Sequence, residues 1–335
     1  MTTWLIYGLG GGWGHLTRSL ALARVAAHHY DIILLTNSPY AAHIPPALIP
    51  RTCQIQTIAP NLSADATRQQ VLYYLQTLHY QCLIIDTFPR GLGGELASFL
   101  PSLSEQISRV LIHRDLNPDY VQSKAIRPFV QQYYSQILIP GEGDRVPLAD
   151  LPQVQHTAPW LIRSAAELPD PAMARSLLRL EAPSQPTVVV CAAGEPHEQH
   201  QLGELATHLA MTFPQVTVRC LAPVCPLTCP PNLWVVHYPA IDLLQVANVV
   251  VGGAGYNTVA ECQALGLPLV AFAFPRLYDR QAERANRSGY WVEHPAAAIS
   301  MVRRLLPATS RADARPAYLN GAVQANAIIR EYTSI

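Results

Sequence analysis

Along the chain, short apolar and β-branched runs alternate with stretches in which apolar residues recur every three or four positions. The first series reads WLIY at 4–7, a helical pattern over 16–27, IILLT at 32–36, QIQTI at 54–58, a helical pattern over 68–78, then CLIID, RVLIH and QILIP. A second series reads TVVVCAA from Thr187, a helical pattern over 200–213, VTVRCLA, LWVVHY, NVVVGG, a helical pattern over 257–265, and LVAFAF. Continuous apolar strands alternating with amphipathic helices predict βα units, in which parallel strands are covered on both faces by the helices that connect them. The expected fold class is therefore α/β, with two Rossmann-like halves. Between the series, Pro140, Pro147, Pro152, Pro159, Pro169, Pro171, Pro183 and Pro186 exclude a continuous helix or central strand, because proline lacks the backbone donor. We place domains at 1–160 and 161–316, a linker at about 140–186, and a last helix within 317–335 that could cover either half.

Composition narrows the class. The chain has 335 residues, is 50% hydrophobic and 14% charged, and balances 23 basic against 23 acidic side chains, which fits a folded interior of about two domains. A balanced charge gives no electrostatic footprint for phosphate backbones, so no nucleic-acid partner is expected. The N-terminus has no basic leader, and no apolar run approaches the ~18 residues a transmembrane segment needs, so a cytoplasmic protein is expected. Seven cysteines, four of them in or beside apolar runs, argue against a disulfide framework. Cys220, Cys225 and Cys229 lack paired zinc-knuckle spacing, with only His237 as a fourth ligand, and no metal is expected.

Two glycine-rich turns carry candidate chemistry. The first, Gly8-Leu9-Gly10-Gly11-Gly12-Trp13-Gly14-His15, follows a strand and opens a helix. Backbone amides and a positive helix end are accessible there, yet neither the dinucleotide fingerprint nor a phosphate-binding Gly-Lys pair is present. His15 stands at the helix start, where a neutral imidazole can act as a general base. The second, Gly252-Gly253-Ala254-Gly255-Tyr256-Asn257-Thr258, is also flanked by a strand and a helix; Asn257 and Thr258 can either cap that helix or hold a diphosphate. Glu261, one turn on, can accept ribose hydroxyls, and Asp279 and Gln281 in the next loop or helix start can read sugar hydroxyls. Tyr238, at the end of the LWVVHY run, is the expected wall of a base pocket. His197 and His200 do not have the H-E-x-x-H spacing of a metal pair.

With these residues in view, the chain resembles glycosyltransferases of the B-type fold, nearest the branch that includes the peptidoglycan lipid-intermediate N-acetylglucosaminyltransferase. GGAGYNTVAECQALGLP followed by DRQ resembles the donor signature, GWGHLTR resembles the N-terminal G-x-G-H-x-x-R turn, and LIIDTFPRG resembles the strand-end D-x-F segment. The resemblance implies two Rossmann-like domains facing across a cleft, His15 as base with Asp86 as its partner, and Gly11, Gly12, Gly14 and Arg18 on the acceptor side. It places the donor on Gly253, Ala254, Gly255, Asn257, Thr258, Glu261, Asp279 and Gln281. Gly253 falls where plant members carry a donor-binding histidine, and Ala193-Gly194-Glu195-Pro196 adds a carboxylate beside the expected diphosphate.

The expected activity is metal-independent, inverting transfer of a sugar from a nucleoside diphosphate donor, UDP first, to a hydroxyl on a small-molecule or lipid-linked acceptor. No D-x-D is present to hold a divalent ion, and no cofactor is required. Two alternatives are a sugar-nucleotide hydrolase of the same fold that uses water, and a non-catalytic nucleotide-sugar-binding protein.

Overall fold

The computed structural model describes residues 2–181, 185–288, 290–308 and 316–333. Pro183, one of the linker prolines, and residues 334–335 of the last segment lie outside the described residues. The chain forms two compact units: Met1–Ile162, Leu277–Asp279 and Asn320–Ile335 make unit 1, and Arg163–Arg276 with Arg280–Leu319 make unit 2.

Unit 1 is built on seven strands, β1 (Thr3–Tyr7), β2 (Asp31–Thr36), β3 (Cys53–Thr57), β4 (Cys82–Asp86), β5 (Ser108–Ile112), β6 (Gln136–Pro140) and β7 (Val154–Thr157). They pair in parallel in the order β3-β2-β1-β4-β5-β6-β7. Its helices are α1 (Trp13–Ala26), α2 (Ala64–Thr77), α3 (Glu95–Phe99), α4 (Pro118–Ser123) and α5 (Ile126–Tyr133). Strand β7 arises inside the proline-rich stretch, and it sits at the sheet edge, where missing amides are tolerated.

Unit 2 carries β8 (Thr187–Cys191), β9 (Thr217–Leu221), β10 (Trp234–Val235), β11 (Val249–Gly253), β12 (Leu269–Phe272) and β13 (Trp291–Val292), paired in the order β10-β9-β8-β11-β12-β13. Its helices are α6 (Pro171–Leu177), α7 (Pro196–Thr212), α8 (Ile241–Leu244), α9 (Tyr256–Ala264), α10 (Gln281–Ser288) and α11 (Pro295–Leu305). Alternation along these strands supplies two cores: Val188, Val190, Val249, Val251 and Val270 enter one, while Val189, Cys191, Val250, Leu269 and Ala271 enter the other. This two-sided burial is why the strands read as unbroken apolar runs. The LWVVHY run yields only the two paired residues of β10, since a lone edge strand has a partner on one side only.

The last helix, α12 (Gly321–Thr333), belongs to unit 1 and packs on α1. It begins at Gly321 because the Asn320 side chain ties to both the amide and the carbonyl of Leu161, and the Gly321 amide donates to Pro159. A Cβ on Gly321 would lie 1.7 Å from the Ala158 carbonyl oxygen, so only glycine fits.

In both sheets the loops after the strands carry the candidate residues, as expected at the carboxyl edge of an open parallel sheet. No described helix is long and apolar enough to cross a membrane.

Candidate active site

In unit 1 the chain leaves β1, makes the glycine-rich turn and enters α1 at Trp13 with Gly12 as its N-cap. A Cβ on Gly10 would lie 2.1 Å from the His15 ring, so glycine there lets the imidazole fold back over the turn. His15 Nδ1 lies 2.7 Å from Asp86 Oδ2, at the end of β4. Asp86 is fully buried, whereas the His15 side chain keeps 20% of its surface exposed. With Nδ1 donating to the carboxylate, Nε2 is left with a lone pair to accept a proton.

Arg18, one helical turn beyond His15, is only 1% exposed. Its Nε donates to Asp86 Oδ1 at 2.8 Å and its Nη2 to Asp86 Oδ2 at 2.7 Å and to Thr87 Oγ1 at 3.2 Å. Arg18 thus holds the carboxylate from the same helix that carries His15. Burial would push the Asp86 carboxyl up, but the Arg18 guanidinium and then His15 outweigh it and hold the group well below the usual range. Asp86 thus stays anionic and is available to orient imidazole and to stabilise imidazolium. Thr87 follows at φ +72°, an unusual conformation for a β-branched residue, which turns the chain sharply behind the carboxylate.

The turn after β4 is organised by Glu95, 1% exposed, which accepts the Tyr7 hydroxyl and, 2.8 Å away, the Gly93 amide. Within this turn Phe88 stacks under His15 with ring centroids 5.5 Å apart. His113, at the end of β5, provides the contrast. It is fully buried with Nε2 against the Pro147 carbonyl, and burial pulls its pKa down to about 4. Of these two histidines at the carboxyl edge, His15 alone reaches solvent.

In unit 2, β11 leads through Gly252 and Gly253 into α9, which starts at Tyr256 with Gly255 as an N-cap that supplies no side chain. A Cβ on Gly252 would sit 3.2 Å from the Cys191 backbone and one on Gly253 3.2 Å from Phe274, so both glycines permit close packing. Ala254 is buried, with its amide on Phe272 and its carbonyl accepting Arg284. No acidic residue lies in the first turn of α9, and Asn257 Oδ1 is buried without a hydrogen-bond partner. Thr258 stands beside it, half-buried. Asn257 and Thr258 are not N-caps here, because Gly255 takes that position.

Glu261 is 5% exposed, and its pKa is pushed up to about 8, first by burial and then by Asp242. Asp242 holds the negative charge of this corner: Arg163 donates to both its oxygens at 3.0 and 3.1 Å, and His237 Nε2 lies 3.2 Å away. Tyr238, half-buried, follows His237 and precedes Pro239 through a cis peptide bond. Gln281 is buried and its Oε1 accepts the Phe274 amide, so its carbonyl supports the loop after β12 and only its NH2 group remains for a ligand. Asp279 belongs to unit 1, where its Oδ1 lies 3.5 Å from Arg114.

The carboxylate at the Ala193–Pro196 turn is occupied by its own helix. Glu195 and Glu198 form a reciprocal capping box at the start of α7, and Arg276 makes a bidentate pair with Glu198. Among the described residues, no group of three or more His, Cys, Asp or Glu side chains is arranged to hold a metal ion.

The chain matches no protein-family model and no curated protein in sequence. Solved structures are similar in fold over nearly the whole length. The glycotransferase of kitacinnamycin is 16% identical with a TM-score of 0.61, covering 98% of each chain. The Streptomyces sp. SF2575 glycosyltransferase SsfS6, complexed with thymidine diphosphate, is 13% identical at TM-score 0.60, covering 99% of this chain and all of the other. TcCGT1 in complex with UDP is 12% identical at TM-score 0.60, covering 99% and 94%. The fold is therefore that of the two-domain, B-type glycosyltransferases.

Proposed function

We propose that the protein is a glycosyltransferase that moves a sugar, with inversion and without a bound metal, from a nucleoside diphosphate to an acceptor hydroxyl. The observation that carries this reading is the His15–Asp86–Arg18 relay, with its 2.7 Å contact to Nδ1 and an exposed imidazole edge. His15 Nε2 takes the proton as the acceptor oxygen attacks the anomeric carbon. Asp86 stabilises the imidazolium while Arg18 keeps the carboxylate ionised. The bond from the anomeric carbon to the diphosphate oxygen breaks on the opposite face, and its charge is met by the α9 amides, Asn257 and Thr258. Glu261 receives ribose hydroxyls, with Tyr238 beside the base. Arg18 supports Asp86, Gln281 offers its NH2 group to the donor sugar while its carbonyl holds the loop after β12, and Gly253 to Gly255 leave the backbone open to phosphate.

Two similar structures hold thymidine diphosphate and UDP, so sugars of these two nucleotides are the first donors to try. A donor at about a hundred times its dissociation constant stabilises the protein by ~2.7 kcal/mol, which a melting panel over UDP, TDP, GDP and ADP sugars detects. Transfer should persist in EDTA. Abolition by chelator with rescue by manganese overturns metal independence, and free sugar released at full rate without any acceptor identifies a hydrolase instead. Binding without turnover of any donor identifies a sensor.

A further inference from the structure

We propose that unit 1 accepts a neutral molecule whose hydroxyl is carried on a flat aromatic body, an inference that rests on the glycosyl-transfer reading and names its acceptor class. Two pairs of stacked rings, both in unit 1, border the glycine-rich turn, one built on Trp13 and the other on the base itself. Trp13, the first residue of α1, stacks on Tyr40 with centroids 4.6 Å apart and planes 11° apart, both rings half-buried. Two residues on, His15 stacks on Phe88 at 5.5 Å and 26°, and Phe88 meets Tyr278 edge-on at 5.3 Å.

The backbone between these rings is bare for a reason the fold does not supply. A Cβ on Gly11 or Gly14 would meet nothing within 4 Å, and neither residue has a left-handed φ. Glycine is required there neither by packing nor by conformation. Its effect is to leave the surface beside Trp13 and His15 open to a broad, flat body.

Charge excludes the other acceptor chemistry. A phosphorylated lipid needs cations to meet its phosphate, but two guanidiniums of this region already face carboxylates, and a third, Arg90, lies over the Phe129 ring and donates to the Ala125 carbonyl. Arg18 is held on Asp86, and Arg114 on Glu142 and Asp279 at 3.2 and 3.5 Å. A neutral aromatic acceptor asks for no cation, and offset or edge-to-face contact with Trp13, Tyr40 and Phe88 orients its hydroxyl toward His15 Nε2.

The test uses the full chain and three probes, 7-hydroxycoumarin, 4-tert-butylcyclohexanol and farnesyl phosphate, with binding read by calorimetry and transfer read separately. The coumarin should bind at least tenfold tighter than either of the others. Trp13→Leu and Tyr40→Leu, which keep apolar bulk and remove the flat ring, should each reduce that preference at least fivefold. Equal or tighter binding of the cyclohexanol or of farnesyl phosphate overturns the proposal, as does an undiminished preference in both Leu variants. If a variant fails to fold, the wild-type order of the three probes decides. A protein that glycosylates farnesyl phosphate in preference to the coumarin keeps the transferase reading and loses this one. A protein that binds the coumarin with that preference but turns over no nucleotide sugar loses the transferase reading alone.

Discussion

The two glycine-rich turns are built alike, strand to turn to helix, and yet they present opposite chemistry. In unit 1 the helix start delivers a side chain, His15, whose inner nitrogen faces a buried carboxylate that Arg18 keeps charged. In unit 2 the start of α9 delivers backbone: its N-cap has no side chain, its first turn has no acid, and Asn257 Oδ1 lacks a partner. Helix α7 of the same unit shows what a closed helix start looks like, with Glu195 and Glu198 already satisfying the free amides and Arg276 neutralising Glu198. The difference teaches that a glycine-rich turn before a helix does not define an anion site. What matters is whether the protein's own carboxylates have taken the amides first.

The sharpest way to break this contrast is at the base. His15→Ala should cut turnover by ~10² to 10⁴-fold, the ordinary contribution of a general base, while donor affinity measured by calorimetry stays unchanged because the proposed donor site lies in the other unit. A lower melting temperature with the rate per folded molecule intact would reduce His15 to a helix-start residue. Arg18→Met should come next, costing ~3 to 5 kcal/mol of stability, because it leaves Asp86 buried with its guanidinium gone. Urea unfolding of wild type and variant checks this, and a loss below about 1 kcal/mol would show that the carboxylate is solvated after all.

On the backbone-presenting turn the expected effects are smaller. Glu261→Ala should weaken nucleotide-sugar binding by ~0.5 to 1.5 kcal/mol, the value of a hydrogen bond to a neutral group, and unchanged calorimetric affinity would remove Glu261 from the donor site. The pH dependence follows from its shift. The folded-state pKa, pushed up to about 8 by burial and Asp242, exceeds the unfolded one, so between about 4.5 and 8 the folded state binds more protons and stability falls as pH rises. Glu261→Gln mimics the protonated form. Its melting temperature relative to wild type should rise steadily from pH 5 to pH 8, and a constant gap would show that Glu261 is already ionised in the free protein.

Much of this was legible along the chain, because the signals are local. Continuous apolar runs marked the strands of both sheets, and a histidine behind glycines at a helix start marked the candidate base. Boundaries shifted where capping decided them: α2 begins earlier than its apolar pattern because Ser63 caps it, and α12 begins at Gly321 because Asn320 and Gly321 are tied to Leu161 and Pro159. The role of Arg18 was not legible, since one turn of helix says which face a side chain shares with His15 but not that a carboxylate 68 residues away lies beneath it. The pairing of Asp242 and the upward pKa shift of Glu261 were hidden likewise, because the first depends on Arg163, 79 residues away in sequence, and the second on burial and on Asp242.

The order and spacing of residues thus determined by themselves the α/β class, the two series of βα units and the two turns worth examining, all properties of local hydrophobic period and backbone freedom. Only the tertiary structure decided which carboxylates are paired, that Asp279 lies beside Arg114, and which helix end remains open. The physical reason is that burial and charge compensation depend on neighbours distant in sequence, and it is these neighbours that set a group's ionisation and accessibility.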